Sequence, residues 1–146
     1  MIELVESSSI VKEVAKIFEV LGRRYNIDYA ILFGSAAKSS MRSDSDVDVA
    51  IKLRESPLDS KKFLRMILDI KYALEEKLHR VVDIVVLNGS SIGLQYEVFS
   101  TGKPVYVSDP ENLFRDKLVV IKMYLDFKYY LERHFKELVG WIASGV

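Results

Sequence analysis

The chain predicts an α/β fold: a small mixed sheet with helices packed on it and a long helix at the C-terminus. Three observations carry that expectation. Apolar runs of strand length alternate with segments of helical period, the order expected of a sheet covered by helices. The first two strand runs are joined by only twelve residues, 34–45, which leaves room for one helical turn but not for a crossover helix, so these strands pair antiparallel. Beyond residue 109 a helical pattern runs on with no further strand signal.

Each element has its own signal. Ser7, Ser8 and Ser9 offer helix caps, and Ile10, Val14, Ile17, Phe18 and Leu21 then recur at helical spacing. Residues 22–26 end that helix, and 28–33 read as the first strand. The second strand covers 46–53 and is closed by Ser56-Pro57. Residues 58–78 form a long amphipathic helix with Phe63, Ile67, Ile70, Leu74 and Leu78 along one side. A third strand at 81–87 stops at Asn88-Gly89, and a shorter helix over 91–100 ends near Gly102 as its C-cap. Residues 104–107 suit a short edge strand, where the missing donor of Pro104 costs little. Asp109-Pro110 starts the last helix, expected from 111 to about 139. There is no internal repeat and no linker. The expected division is a domain over 1–109 and a C-terminal helix over 110–146, which either completes that domain or contacts a partner.

At 146 residues the chain is one domain's worth, and 49% hydrophobic with 29% charged residues describes a globular, soluble protein. Lys plus Arg equals Asp plus Glu at 21 each, whereas a protein that clamps long nucleic acid carries a basic surplus. Without cysteine there is neither a disulfide framework nor a thiolate metal site. The N-terminus lacks the basic start and apolar core of a signal peptide, and no run approaches the ~18 apolar residues of a membrane helix. A cytoplasmic protein without a membrane partner is expected.

The chemistry concentrates between residues 32 and 51. The first apolar run ends on Gly34-Ser35, and after ten residues, 36–45, the next opens with Asp46-x-Asp48. Residues two apart on a strand share a face, so the two carboxylates project side by side and suit a hard cation such as Mg2+, which in turn holds substrate phosphates. The Gly-Ser turn offers backbone N–H groups and a hydroxyl to those phosphates.

Blander roles compete at each position. Asp44 fits a turn residue before the strand. Asp46 and Asp48 fit that role poorly, because like charges on one strand face repel unless compensated. Asp83 lies inside 81–86, a run that reads as buried on both faces, where a carboxylate is costly unless paired or metal-bound. Ser35 can cap the turn as well as bind phosphate. Lys38 and Arg42 are loop cations that either reach a triphosphate or are simply solvated. His79 and His134 lack partners at ligand spacing and are assigned no catalysis. The last helix carries Phe114, Tyr124, Phe127, Tyr129, Tyr130 and Phe135, with Trp141 just beyond its expected end. Packing on the sheet is the default for these, yet the adjacent Tyr129 and Tyr130 cannot share one side, so one side can form an aromatic contact surface.

Gly34, Ser35, Asp46 and Asp48 resemble, residue for residue, the signature of the DNA polymerase β nucleotidyltransferase superfamily: Gly-Ser, a spacer of about ten residues, then Asp-x-Asp. The superfamily's third carboxylate, on a later strand, corresponds to Asp83. The chain looks most like the minimal nucleotidyltransferases (MNT), often paired with a HEPN toxin, although Lys38-Ser39 stands where many of those proteins have Arg-Gly. The resemblance spans roughly 10–107 and implies a palm-like sheet with its carboxylates on an exposed face. It further implies Asp46, Asp48 and Asp83 as catalytic metal ligands, Mg2+ as cofactor, and Gly34, Ser35, Lys38 and Arg42 on the nucleotide. The implied reaction moves AMP from ATP to a hydroxyl, with a tyrosine of a HEPN toxin as acceptor and an antitoxin role for this chain. Alternatives are transfer to a small molecule such as an aminoglycoside, or silencing of the partner by contact alone. Self-association as a homo-oligomer is left open.

Overall fold

The computed structural model describes residues 2–37, 45–56 and 59–145. Helix α1 (Ile2–Arg24) leads into strand β1 (Ile27–Phe33), a 3-10 turn (Gly34–Ala37) and strand β2 (Val47–Leu53). Helix α2 (Ser60–Leu78), strand β3 (Val82–Val86), helix α3 (Ile92–Thr101), strand β4 (Lys103–Val107) and helix α4 (Pro110–Ser144) follow. The strands lie in the order β3-β2-β1-β4. The short 34–45 link joins β1 and β2 antiparallel as expected, β4 adds antiparallel to the other edge of β1, and β2 and β3 run parallel with α2 as their crossover.

One face of the sheet is covered by α1 and α2, around a core including Val14, Phe18, Leu32, Ile51, Ile70 and Leu74. The opposite face meets α3 and α4 through Tyr29, Ile31, Ala50, Val98, Phe99 and Val120. Strand β1 is therefore buried along its whole length, Asp28 included. That carboxylate sits at an irregularity in the β1–β2 register and accepts from Ser108 Oγ at 3.2 Å and Asn112 Nδ2 at 3.4 Å. Beside it the Tyr29 hydroxyl donates to Asp116 at 2.7 Å, so two polar contacts seat the start of α4 on the central strand.

Several expectations are corrected. The first helix begins at Ile2, so Ser7, Ser8 and Ser9 lie inside it and not at its start; interior serine costs only about 0.5 kcal/mol relative to alanine. That helix closes within 22–26 as expected, at Arg24, with Gly22 in its last turn. A Cβ there would lie 2.3 Å from Tyr106 Cζ, so the glycine makes room for the ring against α1. Gly102 is the C-cap of α3 as expected, but its backbone is extended, and a side chain there would meet Ile31 Cγ2 at 2.4 Å.

The third strand is not buried on both faces. It is the sheet edge, Val81 precedes it with 54% exposure, and Asp83 is exposed. The reason is coverage: α3 and α4 pack over β1 and leave the β2–β3 end of their face open. The last helix extends to Ser144 and contains Trp141. Packing on the sheet does not account for its aromatics, since Phe114, Phe127, Tyr129, Tyr130, Phe135 and Trp141 are all exposed. Tyr124 alone among them packs inward, stacked on Tyr96 at 3.9 Å between ring centroids. His79 is the left-handed C-cap of α2, its N–H donating to the Glu75 carbonyl at 2.8 Å. No helix among the described residues is long and apolar enough to cross a membrane.

Candidate active site

The carboxylates meet because of strand register. Asp48 is the second residue of β2 and pairs directly with Asp83 of β3 on one side and with Phe33 of β1 on the other. Paired residues of neighbouring strands share a face, so Asp48 and Asp83 stand side by side on the face that α3 and α4 leave partly open. Asp46 is two residues earlier, exposed just before β2 begins, and shares that orientation. Val47, Val49, Ile51 and Leu53 alternate onto the covered face and lock the phase of the strand.

Gly34 follows Phe33 at the end of β1 and turns the chain with φ of +67°, a left-handed conformation costly for any residue with a side chain. Its second constraint is contact: a Cβ at Gly34 would lie 2.4 Å from Asp48 Oδ2. The glycine thus lets the backbone of this turn come right up to the carboxylate. Ser35 is half-buried in the 3-10 turn that follows. Lys38, Arg42 and Asp44, and with them Ser39, lie outside the described residues.

Electrostatics single out Asp48. Burial pushes its carboxyl above the ordinary range, and the negative charges of Asp83, Asp46 and Glu97 push in the same direction. Glu97, on α3, was not visible to sequence reasoning, because only folding brings a residue that far along the chain onto the same patch. The same holds for the device that places Asp83. Glu75 of α2 accepts from the Val82 N–H at 3.1 Å, and Lys71 Nζ donates to the Val82 carbonyl while pairing with Glu75 at 3.0 Å. Two side chains of the crossover helix so take up the outward backbone groups of the edge strand one residue before Asp83. The Val82 N–H and the Lys71 ammonium in turn hold the Glu75 carboxyl below its usual value.

Among the described residues, no three His, Cys, Asp or Glu side chains already stand close enough together to hold a metal ion. The donor chemistry nevertheless fits a hard divalent cation. Asp48 and Asp83 offer adjacent carboxylates, with Asp46 close by, whose mutual repulsion a bound cation would offset.

Residues 15–111 match the family described as Polymerase beta, Nucleotidyltransferase. No curated protein matches the chain. Among solved structures, a chain of a toxin–antitoxin complex with AMP-PNP is similar with a TM-score of 0.68 and 20% identity, covering 86% of this chain and 98% of that one. A chain from the complex of a tri-AMPylated Shewanella oneidensis HEPN toxin with MNT antitoxin is similar with a TM-score of 0.60 and 19% identity, covering 94% and 98% respectively. A candidate minimal nucleotidyltransferase reaches 26% identity with a TM-score of 0.56, over 67% of this chain and 94% of its own. The family match spans more than half of the chain and takes in Gly34, Ser35, Asp46, Asp48 and Asp83 alike. The chain belongs to the polymerase beta nucleotidyltransferase family and is a nucleotidyltransferase.

Proposed function

We propose that this nucleotidyltransferase moves AMP from ATP onto a tyrosine hydroxyl of a HEPN-family toxin, and so acts as its antitoxin. The observation that carries the chemistry is the register pair Asp48–Asp83 beside Gly34, with a carboxylate row on an open sheet face. The acceptor rests on structural likeness to toxin–antitoxin complexes, one of them with a tri-AMPylated HEPN toxin. Residues 1–109 carry the transferase site, and the C-terminal helix over 110–146 either completes that domain, to which Asp116 and Val120 tie its start, or contacts the partner.

In this reading Asp46, Asp48 and Asp83 hold Mg2+. When bound, the metal supplies charge neutralisation at the α-phosphate and at the departing pyrophosphate. The turn from Gly34 presents its N–H groups, and Ser35 its hydroxyl, to the terminal phosphates. Lys38 and Arg42 add positive charge to the triphosphate. Asp83, at the solvent-facing edge, receives the proton of the attacking tyrosine hydroxyl. The new oxygen–phosphorus bond forms as the bond from the α-phosphorus to the pyrophosphate oxygen breaks.

Incubation of the purified chain with ATP, Mg2+ and a HEPN-family toxin tests the proposal. Mass spectrometry should find AMP on a toxin tyrosine, and D46N/D48N should abolish the modification while the chain still folds. Transfer by that double variant at the wild-type rate would sink the metal assignment. Transfer to an aminoglycoside, with the toxin unmodified, would replace the acceptor but keep the chemistry.

A further inference from the structure

Strand order lines the site up across the sheet. Asp83 on β3, Asp48 on β2 and the Gly34 turn after β1 follow one another from the edge inward. In-line transfer puts the leaving pyrophosphate and the attacking hydroxyl on opposite sides of the α-phosphorus. Given the reaction proposed above, on which this inference rests, phosphates at the Gly34 turn bring the acceptor to Asp83 from the β3 edge.

That edge is only half closed. Val81 and Leu87 turn their backbones toward β2, where they bond Val47 and Ile51. Backbone groups alternate sides along a strand paired in parallel, so Val82, Ile84 and Val86 point their N–H and C=O groups outward. Lys71 and Glu75 take up those of Val82. Among the described residues, none bonds the outward groups of Ile84 and Val86. An open row of this kind is ready to pair with a further strand.

The flank of α2 supplies a cover for that strand. Leu64, Leu68, Lys71 and Glu75 recur at spacings of four, three and four, so they share one side of the helix. The Val82 contacts fix that side as the one above the β3 edge. Only residues 79–81 join α2 to β3, so the helix runs back along the strand. Leu68 and Leu64 lie about 7 and 13 Å back from the middle of the Lys71–Glu75 pair, the same steps that Ile84 and Val86 take from Val82. These leucines are 54% and 59% exposed, and they overhang the two open backbone positions.

We propose that the acceptor binds as a fifth strand beside β3, an extended segment whose backbone pairs with Ile84 and Val86. Its side chains alternate between the two faces. One set is apolar and packs under Leu64 and Leu68. The other stands on the open face, where the residue directly opposite Asp83 has its Cβ about 5 Å from that of Asp83. The acceptor tyrosine occupies this position, and the charges of Asp46, Asp48, Asp83 and Glu97 select Lys or Arg beside it. A second copy fits the edge less well. Two β3 strands paired antiparallel would set both carboxylate rows on one continuous face, where they repel.

The full-length chain and a short fluorescent peptide test this without turnover. The peptide alternates valine with arginine, and a tyrosine replaces its central arginine. Anisotropy should detect binding, and L64D/L68D should weaken it about tenfold with a nearly unchanged melting temperature, since both side chains are exposed. N-methylation of one alternate set of peptide amides should abolish binding, while the other set, which points away from β3, should tolerate it. Absence of binding, equal sensitivity of the two sets, or indifference to L64D/L68D overturns the proposal. With a HEPN toxin as acceptor, L64D/L68D should raise the KM for the toxin about tenfold and leave the KM for ATP in place. An unchanged KM for a toxin that is modified overturns the added strand and leaves the proposed reaction standing. A toxin left unmodified by a chain that binds the peptide as described supports the strand site and overturns only the choice of toxin. Sedimentation as a dimer that L64D/L68D dissolves overturns the proposal and assigns the edge to a second copy.

Discussion

The two faces of the sheet are built on opposite terms. On the α1–α2 face, β2 contributes Val47, Val49, Ile51 and Leu53, each at most 4% exposed. On the other face the same strand contributes Asp48, Ala50 and Lys52, and only the alanine is buried. A strand alternates by geometry, so one sequence can build a sealed core and a charged platform with the same seven residues. The difference teaches where stability and chemistry are divided. The sealed face holds β2 in phase, and the open face, freed of packing duty at the β2–β3 end, tolerates carboxylates that repel one another.

The comparison breaks most visibly on the sealed face. Ile51→Ala should cost about 2–5 kcal/mol, because the removed methyl groups leave a cavity between α1, α2 and the sheet. Denaturant unfolding checks it, and a cost near zero would mean that this face is not the main core. Asp83→Asn on the open face should leave the same unfolding curve almost unmoved.

Gly34→Ala comes next. Forcing an alanine into the left-handed region costs about 1–2 kcal/mol, and its Cβ must displace the Asp48 carboxylate. Nucleotide transfer should fall by far more than the stability loss explains. Comparing the transfer rate with the folded fraction at one temperature separates the two effects, and unchanged transfer would remove Gly34 from the site.

A smaller effect, of opposite sign, is expected from Asp48→Asn. Folding raises the Asp48 carboxyl above its unfolded value, so between those two values the folded chain binds more protons than the unfolded one. Stability therefore falls as pH rises through that window. The variant lacks this loss, so without Mg2+ it should melt higher than wild type near neutral pH, and the gap should close below the ordinary aspartate range of about 3.9. Thermal melts across pH read this directly, and a variant less stable at neutral pH would show that Asp48 has a stabilising partner. The smallest change belongs to Tyr129→Ala. This side chain is 61% exposed, so the melting curve should shift by no more than about 0.5 kcal/mol equivalent.

Much of this was legible along the chain. The apolar periods mark every helix and strand, Asp109-Pro110 marks the start of the last helix, and the short 34–45 link dictates an antiparallel β1–β2 pair. Misreadings arise where a local signal competes with a distant one. Gly22, in the last turn of α1, reads simply as a helix end, yet a glycine is needed there because Tyr106, far along the chain, takes the space. The apolar residues of β3 read as buried on both faces because composition cannot say which strand ends up at the edge. The aromatics of α4 read as core for the same reason: hydrophobicity says that a side chain avoids water, not what covers it.

By itself, then, the sequence determined the alternation of elements, the side-by-side placement of Asp46 and Asp48, and the turn at Gly34-Ser35, since each depends on residues close in the chain. Tertiary structure alone decided that Asp83 stands beside Asp48, that Glu97 adds to its charge, and that Lys71 and Glu75 grip the edge strand next to it. Those contacts join residues on separate elements, and their distances are set by strand order, register and helix packing, which no local pattern encodes.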